Sequence, residues 1–223
     1  MILNQDTCII RLRTVGPSAT AEPVDDQGDT VPRPSLREKI LTEGFHVVLE
    51  QGYCGATVRD IVRAAGAPQG SFTNHFESKE AFCLELLIRY FAIVQANITK
   101  TLRNDSLKPL NRLRQWFDIQ LDFLKRGDFR NGCLIGNFSA EVGAHSETIH
   151  TKLTEMYEEI HASVVYCLKA AVKSGDLPAS ADCKELAHFL YASLQGAILQ
   201  AKVERSALPM KRFMKIAFST ILR

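Results

Sequence analysis

The sequence contains few of the signals that mark an enzyme, a metal site or a membrane protein. Its 223 residues include no Gly-rich phosphate loop, no Gly-x-Ser-x-Gly elbow and no His-Glu-x-x-His motif. The six cysteines are scattered without a Cys-x-x-Cys pair, which argues against a zinc ribbon or a disulfide scaffold and favours a reducing cytoplasm. No apolar run approaches the roughly 18 residues that a membrane helix needs, and no signal peptide is expected. We therefore expect a soluble cytoplasmic protein that is not an enzyme and holds no cofactor or metal.

Helical periodicity dominates what is present. Residues 1–33 mix Pro, Gly, Ser, Thr and Asp with few large apolar groups, which predicts a disordered leader. Beyond the leader no alternating run favours a strand, so we predict an all-α fold with an N-terminal three-helix domain in residues 34–80 and a C-terminal helical domain in residues 81–223. The first helix should begin at a Ser35 capping box and end before Gly52. Later helices are predicted at about 78–102, 109–125, 136–143, 147–173, 182–205 and 209–222.

Residues 57–79 predict two short helices joined by a turn of small residues. A capping pattern starts the first helix at Thr57, an Ala-Gly-Ala turn follows, and Pro68 opens the second helix. This order is typical of a helix-turn-helix, whose second helix lies in the major groove of DNA. The alternative, two core helices of a bundle, leaves only Phe72 and Phe76 for packing. The second helix would expose the short polar side chains of Gln69, Ser71, Thr73, Asn74 and His75.

Net charge does not support nucleic-acid binding by itself. The chain has 27 basic and 25 acidic residues, and residues 34–89 contain six basic against seven acidic ones. Any DNA contact must therefore come from individually placed groups. Thr57, Arg59 and Lys79 lie at helix starts, where they and the backbone amides can hold phosphates.

Residues 35–80 resemble the DNA-binding domain of the TetR family of transcriptional regulators. The resemblance rests on Gly-Tyr-x-x-Ala-Thr-Val-Arg-Asp-Ile from Gly52 and on Ala-Gly-x-x-x-Gly-Ser-Phe-x-x-His-Phe-x-Ser-Lys-Glu from Ala65. Thr73 departs from it, since the family commonly has tyrosine there. DNA affinity or operator choice is therefore expected to differ from that of a typical member. The DNA contacts that the resemblance implies are Thr57, Arg59, Gln69, Gly70, Ser71, Thr73, Asn74, His75 and Lys79.

The resemblance further implies a C-terminal domain that binds an effector and forms a homodimer through the last two long helices. Two apolar stripes, in residues 186–201 and 210–221, fit either an intramolecular core or a second copy. A dimer also suits the mechanism, because two copies of the helix-turn-helix (the reader, residues 57–79) placed one DNA turn apart recognise a palindromic operator. The effector pocket is predicted from apolar walls and a few polar anchors. Its expected residues are Trp116, Gln120, Phe123, Cys133, Asn137, Tyr157, Tyr191 and Gln195.

The segment around Cys133 is the least generic part of the C-terminal half. Its Gly-Cys-Leu sequence resembles a motif in TetR-like repressors that answer electrophiles and acrylate. Cys133 is expected where a short helix begins, and helix N-termini stabilise thiolates, so it is either a sensor or a buried structural cysteine. A metal is not expected, because His150 and His161 would lie about 16 Å apart along one helix.

These observations predict a ligand-responsive DNA-binding regulator, in particular a repressor that a small molecule releases from its operator. The alternatives are a small helical ligand carrier or enzyme with a vestigial helix-turn-helix, and a helical bundle that binds other proteins. DNA binding separates the first reading from the other two.

Overall fold

The computed structural model describes residues 35–142 and 146–223, and within them all regular structure is helical, which confirms the all-α prediction. The predicted leader lies outside the described residues. The helices are α1 (Leu36–Gly55), α2 (Val58–Ala64), a 3-10 turn (Gln69–Ser71), α3 (Lys79–Lys100), α4 (Pro109–Arg126), α5 (Leu134–Glu141), α6 (Glu147–Ser174), α7 (Cys183–Glu204) and α8 (Leu208–Ile216), followed by a π-helical turn (Ala217–Ile221).

The first helix begins as predicted, and its regular part ends at Gly52 as predicted. The Ser35 hydroxyl accepts the amide of Glu38 at 3.3 Å and caps the N-terminus. The φ of 78° at Gly52 breaks the helix with a kink, and a short second segment of α1 follows to Gly55. Glycine suits this position because other residues are strained at positive φ.

The predicted second helix of the helix-turn-helix is not a regular α-helix, so that prediction is wrong in its local form. Gln69–Ser71 makes one 3-10 turn, and hydrogen-bonded turns continue through His75. Glycine and short polar residues are poor helix formers, because their side chains compete for backbone hydrogen bonds. The Thr73 hydroxyl, for example, donates to the Gly70 carbonyl at 3.1 Å.

An aromatic cluster supports this turn from below. Phe72, Phe76 and Phe82 are buried, and Phe82 on α3 lies 5.4 Å and 4.9 Å from the other two rings, measured between centroids.

By length and composition α3 is the one described helix that is apolar enough to cross a membrane. Its side chains Phe82 and Leu87 are nevertheless fully buried in the protein core, so here it is a core helix.

The long helices of the C-terminal half agree with the predicted ranges to within about two residues at most ends. α6 and α7 pack against each other, α4 packs on α6, and α8 packs on α7. α3 runs without a break across position 80, so the proposed reading and sensing regions share one helix.

Candidate nucleic-acid interface and effector site

Thr57 closes the N-terminus of α2 on itself. Its hydroxyl accepts the Asp60 amide at 3.1 Å and donates to the Asp60 carboxylate, which also accepts the Thr57 amide. The hydrogen bond from the Thr57 hydroxyl, with the nearby arginines, lowers the pKa of Asp60. The Thr57 hydroxyl and amide, which the sequence predicts to contact phosphate, are therefore both paired with Asp60 in this structure. Arg59 is exposed beside it.

Most of the predicted base-contacting residues lie on one open surface. Gln69, Gly70, Thr73 and Asn74 are exposed, and His75 is half-buried. A Cβ atom added at Gly70 would meet no atom within 4 Å, so a DNA backbone can approach this turn closely.

Ser71 departs from the prediction. Its side chain is 8% exposed, and its hydroxyl donates to the Pro68 carbonyl at 2.6 Å. Ser71 is the last residue of the 3-10 turn, and its hydroxyl bond spans that turn back to Pro68. Ser71 thus holds the turn together, and its hydroxyl is not presented to DNA in this conformation.

Lys79 begins α3 next to this surface. Its ammonium lies 4.8 Å from the centre of the Tyr53 ring, a cation–π contact that limits where the side chain can point. The Tyr53 ring in turn packs edge-on against Phe138 of α5 at 5.8 Å.

The end of α5 also holds the kink of α1. Glu141 accepts the backbone amide of Cys54 at 2.8 Å, and its carboxylate lies so close to Gly52 that a side chain there would collide with it. Sequence reasoning missed Glu141, because nothing local predicts contact with a residue 87 positions away. Together with Phe138, it joins the predicted effector region directly to the DNA-reading region.

Cys133 caps the other end of α5 and lies in a buried polar cluster. Tyr90 of α3 donates its hydroxyl to the Cys133 sulfur at 3.8 Å, and its ring packs edge-on with Phe123 at 6.4 Å. Burial, reinforced by the neighbouring Cys133, raises the pKa of Tyr90 well above its ordinary value. Tyr90 was missed, although it lies three and four residues after Leu87 and Leu86 and so falls on the inward face of α3.

Aromatic rings extend this cluster across α4, α6 and α7. Trp116 stacks on Tyr191 at 6.2 Å, and Tyr157 meets Tyr191 edge-on at 5.5 Å. Burial also raises the pKa of Tyr191 well above its ordinary value, with Cys133 contributing. The Gln195 amide oxygen lies against Gly136, where a Cβ atom would be 2.6 Å away.

One polar atom in this cluster is unsatisfied. The Trp116 indole N–H is buried and has no hydrogen-bond partner among residues 35–142 and 146–223. Such a donor is costly to bury unpaired, by about 1–3 kcal/mol, so it marks a place where an acceptor fits. The Tyr157 hydroxyl, in contrast, is paired with Ser139 at 3.0 Å.

Six of the eight predicted effector residues are thus linked by contacts. Asn137 lies beside Gly132 and Gln120 is half-buried on α4, and no hydrogen bond in the described part of the chain joins either to the cluster. One surface groove of about 470 Å³ lies between the start of α7 and the C-terminal residues Ile221 and Arg223, and another of about 610 Å³ lies between α4 and α8. No predicted effector residue lines either groove. The effector site therefore stays a prediction.

Comparisons with known proteins identify the family. A family model described as bacterial regulatory proteins of the tetR family matches residues 40–86, and a tetracyclin repressor-like C-terminal domain matches residues 109–217. The chain is 38% identical to the HTH-type transcriptional repressor DhaR of a Mycobacterium species, covering 85% of this chain and 94% of DhaR. It is 30% identical to the HTH-type transcriptional repressor NemR of Escherichia coli, covering 78% and 88%.

Solved structures agree with these relatives. A regulatory protein TetR from Rhodobacter sphaeroides superposes with a TM-score of 0.78 at 29% identity, covering 82% of this chain and 97% of that one. The reduced form of Escherichia coli NemR superposes with a TM-score of 0.69 at 28% identity, covering 81% and 94%. The chain therefore belongs to the TetR family of bacterial regulatory proteins and is a DNA-binding transcriptional regulator with a helix-turn-helix.

Proposed function

We propose that this protein is a cytoplasmic homodimeric repressor that holds a palindromic operator and leaves it when a small molecule binds at the Cys133 cluster. The observation that carries the DNA-binding part is the exposed polar surface of residues 57–79 above a buried aromatic support. Gln69, Thr73 and Asn74 are in solvent around an open glycine, where their amide and hydroxyl groups can reach base edges.

The exposed face of α7 supports the homodimer. Phe189, Leu199 and Val203 are 51%, 62% and 79% exposed, and Ala192 and Gly196 lie between them at spacings of three and four residues. Such a stripe on one helix is expected to pack against another apolar surface. A second copy placed on α7 and α8 covers it and supplies the second reader that a palindromic site requires.

The groups around Cys133 indicate what kind of effector fits. The walls are aromatic, and the unpaired Trp116 N–H is a donor without an acceptor. An apolar small molecule that carries a carbonyl oxygen would satisfy this donor. The resemblance of the Gly-Cys-Leu segment to electrophile-responsive repressors supports the same location.

The short helix α5 provides the connection from effector to DNA. Cys133 caps its first turn, while Phe138 and Glu141 contact Tyr53 and the α1 kink just before α2. A ligand that moves α5 changes the position of the reader relative to the long helices. To reduce operator binding 100-fold, it must prefer the released conformation by about 2.7 kcal/mol.

DNA binding is tested by fluorescence anisotropy with the fragment upstream of the protein's own gene. We expect tight binding that weakens steeply as salt rises, because phosphate contacts release counterions. A scrambled fragment of equal length is the control. If neither this fragment nor neighbouring promoters bind in a salt-sensitive way, the repressor proposal is wrong and a helical ligand carrier becomes the better description.

The effector site is tested with two variants in the same assay. Small carbonyl compounds, including α,β-unsaturated ones, are screened for release of the DNA. For a compound that releases it, Cys133→Ser should abolish release if the sulfur reacts, and Trp116→Phe should weaken release because the N–H is lost while most of the ring remains. Unchanged release in Cys133→Ser would assign Cys133 a structural role, and unchanged release in both variants would move the effector site elsewhere.

A further inference from the structure

Four charged side chains join the start of α1 to α3. The two terminal nitrogens of Arg37 donate to the two oxygens of the Glu85 carboxylate, at 3.0 Å and 2.6 Å. Arg89 donates in the same way to Glu38, at 2.7 Å and 2.9 Å, and also to Glu85 at 2.8 Å. Two-point pairing of this kind fixes the orientation of a guanidinium more tightly than a single hydrogen bond does. The four groups therefore form one ordered network whose charges sum to zero.

Arg37 also contacts the aromatic cluster that supports the reader. Its guanidinium carbon lies 5.0 Å from the centre of the Phe76 ring, a cation–π contact. Phe76 is buried, and its ring lies 5.2 Å from Phe72 and 4.9 Å from Phe82, measured between centroids. Two rings and one guanidinium thus surround Phe76.

We propose that Arg37 is a positioning residue for DNA recognition. The two-point pairing with Glu85 aims its guanidinium at Phe76, and the contact with Phe76 holds the reader turn in place. This inference rests on the proposed DNA-reading surface and adds a residue that does not itself touch DNA.

The path from Phe76 to the exposed residues of the reader is short. The Phe76 and His75 amides both donate to the Phe72 carbonyl, at 2.9 Å and 3.0 Å. Thr73 and Asn74, which are exposed, lie between these hydrogen-bonded residues. A Phe76 ring that is free to shift would therefore loosen the backbone that presents Thr73 and Asn74.

A direct phosphate contact is the other role that an arginine near DNA can have. Both terminal nitrogens of Arg37 already donate to Glu85, and the neutral network does not attract a polyanion. The two roles differ in the salt dependence of DNA binding, because only a phosphate contact releases counterions.

The first test follows amide hydrogen exchange by NMR in the full-length protein without DNA. Arg37→Gln should speed exchange of the His75 and Phe76 amides about 3–10-fold, the range expected for loss of a partly desolvated cation–π contact. Arg89→Gln is the matched control, because it removes an arginine from the same network and leaves the pairing of Arg37 with Glu85 in place. Amides of α4 report unfolding of the whole protein in both variants. Unchanged exchange in Arg37→Gln, or equal acceleration in Arg89→Gln, overturns the proposal.

The second test is fluorescence anisotropy with the operator fragment at several salt concentrations. Arg37→Gln should weaken operator binding about 3–10-fold without changing the salt slope, whereas Arg89→Gln should bind like the wild type. A salt slope that falls by about 1 in Arg37→Gln would assign this residue to phosphate and overturn the positioning role. If the wild type does not bind the fragment, the repressor proposal fails, and the exchange measurement still decides whether Arg37 holds the turn.

Discussion

The DNA-reading surface and the Cys133 cluster use their hydroxyl groups in opposite ways. In the reader, the hydroxyls of Thr57, Ser71 and Thr73 each donate to a group three residues away in the sequence. Around Cys133, the Tyr90 hydroxyl bonds a sulfur 43 residues away and Tyr157 bonds a hydroxyl 18 residues away. The first set shapes a turn, while the second set ties separate helices together.

The two patterns of hydrogen bonding suit different functions. Local hydrogen bonds shape the turn of the DNA-reading region, and its remaining support comes from the ring of Phe82 on α3. Bonds between helices, in contrast, break or form when the helices shift, which suits a region that senses a ligand. The contacts of Glu141 and Phe138 with the α1 region join these two regions, and under the proposed function they would transmit the effect of a ligand.

The largest test asks whether the reader is as self-contained as its hydrogen bonds suggest. Phe82→Ala should lower the free energy of unfolding by about 3–5 kcal/mol, because it removes a fully buried ring that supports Phe72 and Phe76. Urea unfolding followed by circular dichroism measures the loss. Ile88→Ala on the same helix is the control, and its exposed side chain should matter by less than about 0.5 kcal/mol. A small loss for Phe82→Ala would show that the turn stands without α3.

The second test separates base recognition from phosphate contact within the reader. Gln69→Ala should reduce discrimination between the operator and altered sequences by about 1–3 kcal/mol, while Lys79→Ala should weaken binding to all sequences and lower the salt slope by about 1. Anisotropy titrations at several salt concentrations measure both. Lys100→Ala, at the far end of α3, is the control. The same loss of discrimination in both variants would contradict these roles.

The third test targets the junction between the two regions. Gly52→Ala should destabilise the fold by about 1–3 kcal/mol through its backbone conformation alone, because φ 78° with ψ 177° is a region that essentially only glycine adopts. The substitution should cost more because the new methyl group meets the Glu141 carboxylate. Removing that carboxylate with Glu141→Ala in the same chain should recover only the stability that is lost through the collision with Glu141. Gly55→Ala is the matched control, since its Cβ atom would have an ordinary contact at 3.5 Å. Additive effects of the two substitutions would show that the junction is not coupled.

Local hydrogen bonds can be predicted from the sequence, whereas hydrogen bonds between distant helices cannot. The capping box at Thr57 is visible in the sequence because its partner is three residues away. Ser71 was misplaced because helical periodicity was assumed where a 3-10 turn forms. The partners of Tyr90 and Gly52 were not predictable, because only tertiary packing brings Cys133 and Glu141 to them. The eight effector candidates could be chosen by type, but their mutual contacts could not.

The smallest test concerns the bond between Tyr90 and Cys133. Tyr90→Phe removes one hydroxyl that bonds a weak sulfur acceptor, so at neutral pH stability should fall by about 0.5–1.5 kcal/mol. The contribution of Tyr90 to stability should disappear at alkaline pH. Burial holds the pKa of Tyr90 in the folded protein well above 10.0, its ordinary value and that of the unfolded chain. The unfolded state then loses the proton first, so the stabilising contribution is complete below pH 10.0 and is lost as the pH rises above it.

The test is urea unfolding of the wild-type protein and of Tyr90→Phe at neutral pH and at several values above pH 10.0. It shows whether the Tyr90 hydroxyl is buried in the folded protein. The stability of the wild type should fall more steeply with pH, so that the gap between the two proteins narrows. Tyr191, whose pKa is also raised by burial, keeps part of the slope in both proteins. Parallel curves would mean that Tyr90 reaches solvent, and the Cys133 cluster would then be open without a ligand.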